Sequence, residues 1–189
     1  MENNVKRSTR VVTGPGIRFC YCYVWEPRSN NRGPAYYSVT PLIPKTDTET
    51  AEKIRAAMRN AYEEWTEKME AAGEVYPSMD DLRTALRDGD AEHPGDPVYA
   101  GCWFLNASSA YAPGIVDSEC RPIRERSEFY SGCYGRISMG FYVYNNGEKA
   151  GIGCRLHNLQ KLKDGERLGG VSASEDFGAG DRRDGSQSL

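Results

Sequence analysis

A run of carboxylates in the middle of the chain has the chemistry of a metal site. Its members, which fall within nine residues, are Asp88, Asp90, Glu92, His93 and Asp96. Mg²⁺ prefers carboxylate oxygens, so a metal-dependent nuclease that uses Asp88, Asp90 and Glu92 is one hypothesis. The spacing matches no established metal motif, and a hydrated acidic loop explains it more simply. We therefore predict no metal site and keep the nuclease as an alternative.

Nucleophiles and soft metal ligands form a second group. The chain has two histidines, His93 and His157, and lacks C-x-x-C, P-loop, G-x-S-x-G and H-E-x-x-H motifs. The cysteines lie mostly in apolar, strand-like runs, where a free thiol behaves as a small hydrophobic group; they are Cys20, Cys22, Cys102, Cys120, Cys133 and Cys154. We predict reduced thiols, no cofactor and no enzymatic activity.

Aromatic residues interleaved with basic residues form a third group, which suits single-stranded nucleic acid. Arg and Lys contact phosphates, and aromatic rings stack on unpaired bases. The candidate nucleic-acid-binding residues are Tyr21, Tyr23, Trp25, Arg28, Trp103, Tyr134, Arg136, Tyr142, Tyr144, Arg155, Lys161 and Lys163. The competing interpretation is that one aromatic face of each strand fills the core.

Three strands are predicted to position the first of these candidates. Residues 17–25 alternate, which places Phe19, Tyr21, Tyr23 and Trp25 on one face and Arg18, Cys20, Cys22 and Val24 on the other. A second strand is predicted over residues 35–43, where Pro41 indicates an edge position or a bulge. A third is predicted over residues 98–106, and residues 111–119 are predicted to be a turn-rich connection.

A hairpin is predicted to carry most of the remaining candidates. Residues 134–144 and 149–156 flank an Asn145-Asn146-Gly147 turn. One face of the first hairpin strand holds Ile137, Met139, Phe141 and Val143, and the other holds Tyr134, Arg136, Ser138, Tyr142 and Tyr144. On the second strand, Ile152, Cys154 and Leu156 alternate with Gly151, Gly153 and Arg155. Lys161 and Lys163 follow this predicted strand.

One long helix is predicted over residues 47–72. Thr46 and Glu49 have capping-box spacing, and Gly73 is a natural stop. An apolar stripe along the helix comprises Ile54, Met58, Ala61, Trp65, Met69 and Ala72. An acidic loop is predicted over residues 76–97.

Length and charge favour a single soluble domain. The chain has 189 residues, 39% of them hydrophobic, and a net charge of −3. Residues 1–44 and 93–171 together carry 15 basic against 10 acidic groups, which is compatible with a polyanionic partner. No apolar run reaches membrane-spanning length and no secretory signal precedes the first strand, so we expect a cytoplasmic protein that contacts no membrane. We predict one domain over residues 1–171 and a disordered tail over residues 172–189.

Strands with long connections and one inserted helix fit a small Greek-key barrel. We therefore predict a mainly β protein with one major inserted helix, arranged as a five-stranded barrel like the OB fold.

Several longer runs resemble a phage-encoded single-stranded-DNA-binding protein family that was first catalogued as a domain of unknown function. The runs are RFCYCYVWEP, YYSVTPLIPKTDTETAEKI, LRDGD and YSGCYGRISMGFYVYNNGEKAGIGCRLHNLQKLKDGERLGG, so the resemblance extends from about Arg10 to Phe177. It implies an OB fold and sequence-tolerant binding of single-stranded DNA in phage replication or recombination, in the cytoplasm of a bacterial host. It implies no enzymatic activity.

Other functions stay open at this point. A strand-annealing recombination protein would use the same chemistry, and a phage structural or assembly protein would not bind DNA. The short acidic-aromatic element at residues 174–177 is a hypothetical contact for replication proteins. The oligomeric state does not follow from the sequence.

Overall fold

Strands and one long helix account for most of residues 7–29 and 33–169, which are the residues described by the structure, a computed structural model. The strands are β1 (Arg10–Val12), β2 (Ile17–Arg28), β3 (Tyr36–Pro44), β4 (Arg87–Asp88), β5 (Cys102–Phe104), β6 (Ala107–Ser109), β7 (Gly114–Val116), β8 (Tyr134–Asn145) and β9 (Ala150–Lys163). The helices are α1 (Thr48–Ala72) and the one-turn α2 (Gly89–Glu92), with a 3₁₀ turn at Met79–Asp81.

Five strands pair in a closed circuit. β2 pairs with β3, β3 with β6, β6 with β9, β9 with β8, and β8 returns to β2. Only the β6–β9 pair in this circuit is parallel, which is the connectivity of an OB-like Greek-key barrel. The predicted fold class is therefore confirmed. β1 extends the sheet beyond β8, and β7 adds to β9.

The hairpin of β8 and β9 has the faces that alternation predicts. Ile137, Met139 and Phe141 are buried, and Val143 packs against the same core. The facing strand contributes the buried residues Ile152, Cys154 and Leu156. The second strand is longer than predicted, because β9 continues through Lys161 to Lys163.

The faces predicted for the first strand are wrong. Phe19 is fully buried, whereas Tyr21 is 58% exposed and Val24, on the other predicted face, is buried. The cause is an irregularity between Cys20 and Tyr23, where Tyr21 has a φ of +49°. This bulge shifts the alternation by one residue, so inward-facing positions are odd-numbered before it and even-numbered after it.

Helix α1 is close to its prediction but begins differently. Its N-cap is Asp47, whose side chain accepts a hydrogen bond from the backbone N–H of Thr50, so Thr46 does not cap it. Gly73 ends the helix with a left-handed φ of +70°. The buried stripe of Ile54, Met58 and Ala61 continues into a partly exposed second half, where Trp65 contacts the rings of Tyr62 and Tyr76. The helix packs mainly against β8.

The predicted third strand, residues 98–106, contains only β5, and β6 follows just beyond it; both pair with β3, on either side of a gap at Thr40 and Pro41. Two predicted connections are more structured than expected. The acidic loop contains the 3₁₀ turn, β4 and α2, and the turn-rich connection contains β7.

Some predictions cannot be compared with the fold. The tail over residues 172–189, including the acidic-aromatic element at 174–177, lies outside the described residues. Within them, neither helix combines the length and the apolar character needed to cross a membrane.

Candidate nucleic-acid interface

Six strands each contribute one residue to a line that crosses the outer face of the sheet. Tyr23 pairs with Ser38, Ser38 with Ser108, Ser108 with Arg155, Arg155 with Gly140, and Gly140 with Arg10. The adjoining paired positions Val39, Ala107, Cys154 and Phe141 are buried, so this line faces outward. We call these residues the outer row: Tyr23, Ser38, Ser108, Arg155, Gly140 and Arg10. With strands about 4.8 Å apart, the row is roughly 24 Å long.

Aromatic rings beside the row lie flat on glycines of the neighbouring strand. A Cβ atom at Gly153 would stand 2.5 Å from Cζ of Tyr142, and one at Gly151 would stand 2.6 Å from the hydroxyl oxygen of Tyr144. The ring of His157 covers Gly140 in the same way, at 3.0 Å. A ring that rests on a glycine is held in place on the outer face of the sheet, where it can meet an unpaired base.

Arginines accompany the tyrosines at both ends of the row. The guanidinium carbon of Arg28 lies 4.7 Å from the ring centroid of Tyr23, and that of Arg155 lies 5.3 Å from the ring centroid of Tyr142. Among the described residues, no carboxylate pairs with Arg28, Arg155 or Arg10. Their charge is therefore available to an anionic ligand.

The row crosses the part of the barrel that binds ligands in OB folds. It crosses β2, β3, β8 and β9 within five residues of the strand ends that lead into the β2–β3 connection and the β8–β9 turn. OB folds bind oligonucleotides on the face of their second and third strands, between the corresponding two connections. Tyr23 and Arg28 stand near the first connection, and Tyr142 and Tyr144 near the second.

Several residues of this surface are not among the candidates predicted from the sequence. Arg10 comes from a three-residue strand and donates to the Ser138 hydroxyl. Tyr36 is 37% exposed and pairs with Arg28. Tyr111 is 82% exposed in the short connection between β6 and β7, which both lie beside β9. An unpaired tyrosine in a turn was the available signal for Tyr111, whereas the place of Arg10 depends on long-range pairing.

Comparisons with known proteins show the family of this chain. Residues 9–187 match the family described as "Enterobacter phage Enc34, ssDNA-binding protein". The chain belongs to the Enc34 single-stranded-DNA-binding protein family. It is also 32% identical over 169 residues to protein p50 of Acyrthosiphon pisum secondary endosymbiont phage 1, a match that covers 85% of this chain and 89% of p50.

Solved structures share the fold of this Enc34-family protein. The single-stranded DNA-binding protein from bacteriophage Enc34, in complex with ssDNA, superposes with a TM-score of 0.70 at 22% identity, covering 85% of this chain and 90% of that one. The single-stranded DNA-binding protein gp2.5 of bacteriophage T7 gives a TM-score of 0.61 at 16% identity, covering 84% and 94%. At these identities the likeness establishes the fold.

Two tryptophan candidates of the Enc34-family chain lie away from the outer row. The indole N–H of Trp25 donates to the backbone carbonyl of Phe129 at 3.0 Å. The ring of Trp103 lies between the cationic groups of Lys45 and Arg55, at 4.9 and 5.0 Å. Both indoles also pack against the core. Their contact with DNA stays a prediction, and the structure gives each another role.

Four further candidates lie at the opposite end of the β8–β9 hairpin. Tyr134 precedes Tyr142 by eight residues, about 26 Å along the strand. Arg136 donates to the Thr13 carbonyl, and Lys161 pairs with Asp164 at 2.7 Å. The remaining member of this group is Lys163, which is exposed and pairs with Tyr134 across the strands. Of the candidates on this hairpin, Tyr142, Tyr144 and Arg155 therefore lie on or beside the outer row, and these four do not.

The carboxylates of the nuclease hypothesis are already neutralised. The ammonium of Lys45 lies 2.6 Å from Asp88 and 2.7 Å from Asp90, and these hydrogen bonds lower the pKa of both carboxyl groups. Glu92 accepts two hydrogen bonds from Arg87, which lowers its pKa as well. Across the described ranges, no cluster of His, Cys, Asp and Glu has the geometry of a metal site. Nothing in this segment favours a nuclease.

Proposed function

We propose that this protein binds single-stranded DNA along the outer row during phage DNA replication. The observation that carries the proposal is the row itself, which has Tyr23 at one end and Arg155 and Arg10 toward the other. No carboxylate of the described residues pairs with these arginines, and the ring of Tyr142 lies beside Arg155. Membership of the Enc34 family supports the proposal.

The phosphate contacts come from Arg10, Arg155 and Arg28. Each arginine that neutralises a phosphate releases a counterion, so affinity falls as salt rises. Arg10 and Arg155 belong to the row, and Arg28 lies over the ring of Tyr23 at its end. Because the three side chains are spread out rather than gathered in one pocket, they follow a backbone and do not identify bases. This arrangement favours sequence-tolerant binding.

Preference for single strands comes from the rings. Tyr23, Tyr142 and Tyr144 offer ring faces to unpaired bases, and duplex DNA has its bases stacked on one another. Stacking contributes about 1–3 kcal/mol per base and discriminates little among bases. Duplex DNA can use the arginines but not the rings, and therefore binds more weakly.

We further propose that the protein acts by binding, without turnover, in the host cytoplasm, where phage DNA is copied. The ion pairs of Lys45 with Asp88 and Asp90 support this reading, because those carboxylates already have a cationic partner.

The test is fluorescence anisotropy of a labelled dT oligonucleotide, with a duplex of equal length as control, at low and high salt. The protein's own tryptophans are poor reporters, because Trp25, Trp65 and Trp103 all lie off the row. We expect tight, salt-dependent binding of the single strand and weaker binding of the duplex. Equal binding of both, or no binding, would overturn the proposal. Incubating the complex with Mg²⁺ tests cleavage, and adding a complementary strand tests annealing.

A further inference from the structure

A cleft of about 330 Å³ opens at one end of the outer row, over the bulge in β2. Its wall on the side of the row is Tyr23, which belongs to both features. A strand bound along the row therefore passes the mouth of this cleft. Its lining includes Tyr21, Tyr23, Asp96, Val98 and Tyr99. We call it the bulge pocket.

The bulge pocket has the walls of a site for a flat aromatic group. Tyr21 and Tyr23 provide rings at its mouth, and Tyr99 is buried within it. Tyr99 is held in place, since its ring stacks on His93 at 3.9 Å and meets the edge of Phe104 at 5.0 Å. The volume lies at the lower end of the range for small-molecule sites, about 300–1,000 Å³. A single nucleobase is a ligand of suitable shape.

The backbone at the mouth of the pocket is strained in a way that exposes a ring. Tyr21 has a φ of +49°, which non-glycine residues seldom adopt, and its side chain is 58% exposed. Strained positions of this kind cluster at ligand sites. The bulge turns Tyr21 outward, where a regular strand would place it among core residues.

Asp96 gives the bulge pocket a chemical preference. Its Oδ1 accepts from the backbone N–H of Val98 at 2.9 Å, and no residue in the described ranges donates to its Oδ2. A carboxylate repels phosphate, so the pocket suits a base rather than the backbone. The Asp96 carboxylate can accept a hydrogen bond from the exocyclic amino group of cytosine or adenine. Thymine presents a carbonyl oxygen at the corresponding position.

We propose that the bulge pocket takes one unstacked base of the bound strand and that Asp96 makes it select amino-bearing bases over thymine. The proposal rests on the proposed function and adds one selective position to otherwise sequence-tolerant binding. Recognition of a splayed base by rings and edge hydrogen bonds is a general mode in single-strand binding.

The decisive measurement is the ratio of the dissociation constants for dC and dT oligonucleotides of equal length. We expect the wild-type chain to bind dC about three- to tenfold more tightly, which corresponds to about 0.7–1.4 kcal/mol, the net effect of one hydrogen bond. In Asp96→Asn the amide oxygen still accepts from Val98, and the new N–H₂ group donates to thymine, so the ratio of the dC constant to the dT constant rises to one or above. The exposed Asp80 supplies the control, since Asp80→Asn removes the same charge and should keep the wild-type ratio.

The outcomes separate the two proposals. Binding of dC and dT with equal affinity overturns the bulge pocket and leaves single-stranded DNA binding intact. A wild-type preference that Asp96→Asn retains overturns the role of Asp96. Absence of binding to either oligonucleotide overturns the proposed function and this inference together.

A second variant tests the strained ring. Glycine adopts a φ of +49° without strain, so Tyr21→Gly removes the ring while relaxing the backbone. We expect a melting temperature equal to or above the wild type, together with several-fold weaker dC binding. A lower melting temperature with unchanged affinity would make Tyr21 a structural residue and overturn its place in the pocket.

Discussion

Tyr142 lies flat on Gly153 of the neighbouring strand, and a methyl group at position 153 would stand 2.5 Å from Cζ of the ring. The glycine therefore leaves the space that the ring occupies. The guanidinium carbon of Arg155 lies 5.3 Å from the centroid of the same ring, so a cation stands beside this ring on the outer face. The orientation of a proposed stacking platform thus depends on a residue that has no side chain.

This relationship makes Gly153→Ala informative. The new methyl group contacts the far end of the Tyr142 side chain, which can rotate away, so we expect the free energy of unfolding to change by no more than about 1 kcal/mol, or about 2–4 °C in melting temperature. The tilted ring offers a poorer surface to a base, so affinity for a dT oligonucleotide should fall. Thermal unfolding and anisotropy on the same sample measure both effects. Wild-type affinity in Gly153→Ala would show that ring orientation is unimportant.

The Tyr142 ring itself can be separated from its hydroxyl group. Tyr142→Ala removes one stacking surface and should weaken dT binding about 5- to 150-fold, which corresponds to roughly 1–3 kcal/mol. Tyr142→Phe keeps the ring and should bind as the wild type does. Because the side chain is 40% exposed, neither change should unfold the protein. An equal loss in both variants would assign the effect to the hydroxyl group and contradict stacking.

How far the sequence predicts this surface depends on how local the determining contacts are. The β8–β9 hairpin was predicted with its faces, because a short Asn-Asn-Gly turn fixes the register of Tyr142 and Arg155. The faces of β2 were wrong because Tyr21 takes a left-handed φ without being a glycine, so nothing in the residue types marks the bulge.

Long-range pairing sets a second limit. Arg10 joins the row only because β1 pairs with a strand more than a hundred residues later. The separate pairing of β5 and β6 with β3 leaves a gap at Thr40 and Pro41, and the Thr40 hydroxyl donates to the Asn106 side chain there. An alternating pattern describes one strand at a time, so it predicts neither the pairing of β1 with β8 nor the pairing of β5 and β6 with β3.

The two ends of β9 provide a matched test of where DNA binds. Arg155 lies on the outer row, and Lys163 lies on the same strand about 26 Å away. We expect Arg155→Gln to weaken binding and to reduce the slope of log affinity against log salt by about 0.7, the value for one phosphate contact on a single strand. Lys163→Gln removes one charge as well and should keep the wild-type slope. A salt titration of both variants decides between the ends, and the reverse result would move the interface to Tyr134 and Lys163.

His157 should make stability and DNA affinity respond to pH in opposite directions. Its ring covers Gly140 between Arg10 and Arg155, and its buried Nδ1 has no hydrogen-bond partner among the described residues. Burial first, and then the two arginines, lower the pKa of His157 from its ordinary value of 6.5. The unfolded chain therefore takes up a proton at a pH where the folded chain does not. The stability that this pKa difference contributes is fully present above about pH 6.5 and is lost as the pH falls toward the pKa of His157 in the folded chain.

Bound phosphates have the opposite effect, because they favour the imidazolium form and binding then takes up a proton. Between pH 7.5 and 5.5, the wild-type chain should lose more melting temperature than His157→Gln, yet gain more affinity for a dT oligonucleotide. His93 is present in both chains and therefore does not contribute to the difference between them. If the melting temperatures of the two proteins change in parallel with pH, His157 is not the source of the stability change. If their dT affinities change in parallel, the DNA lies away from this part of the outer row.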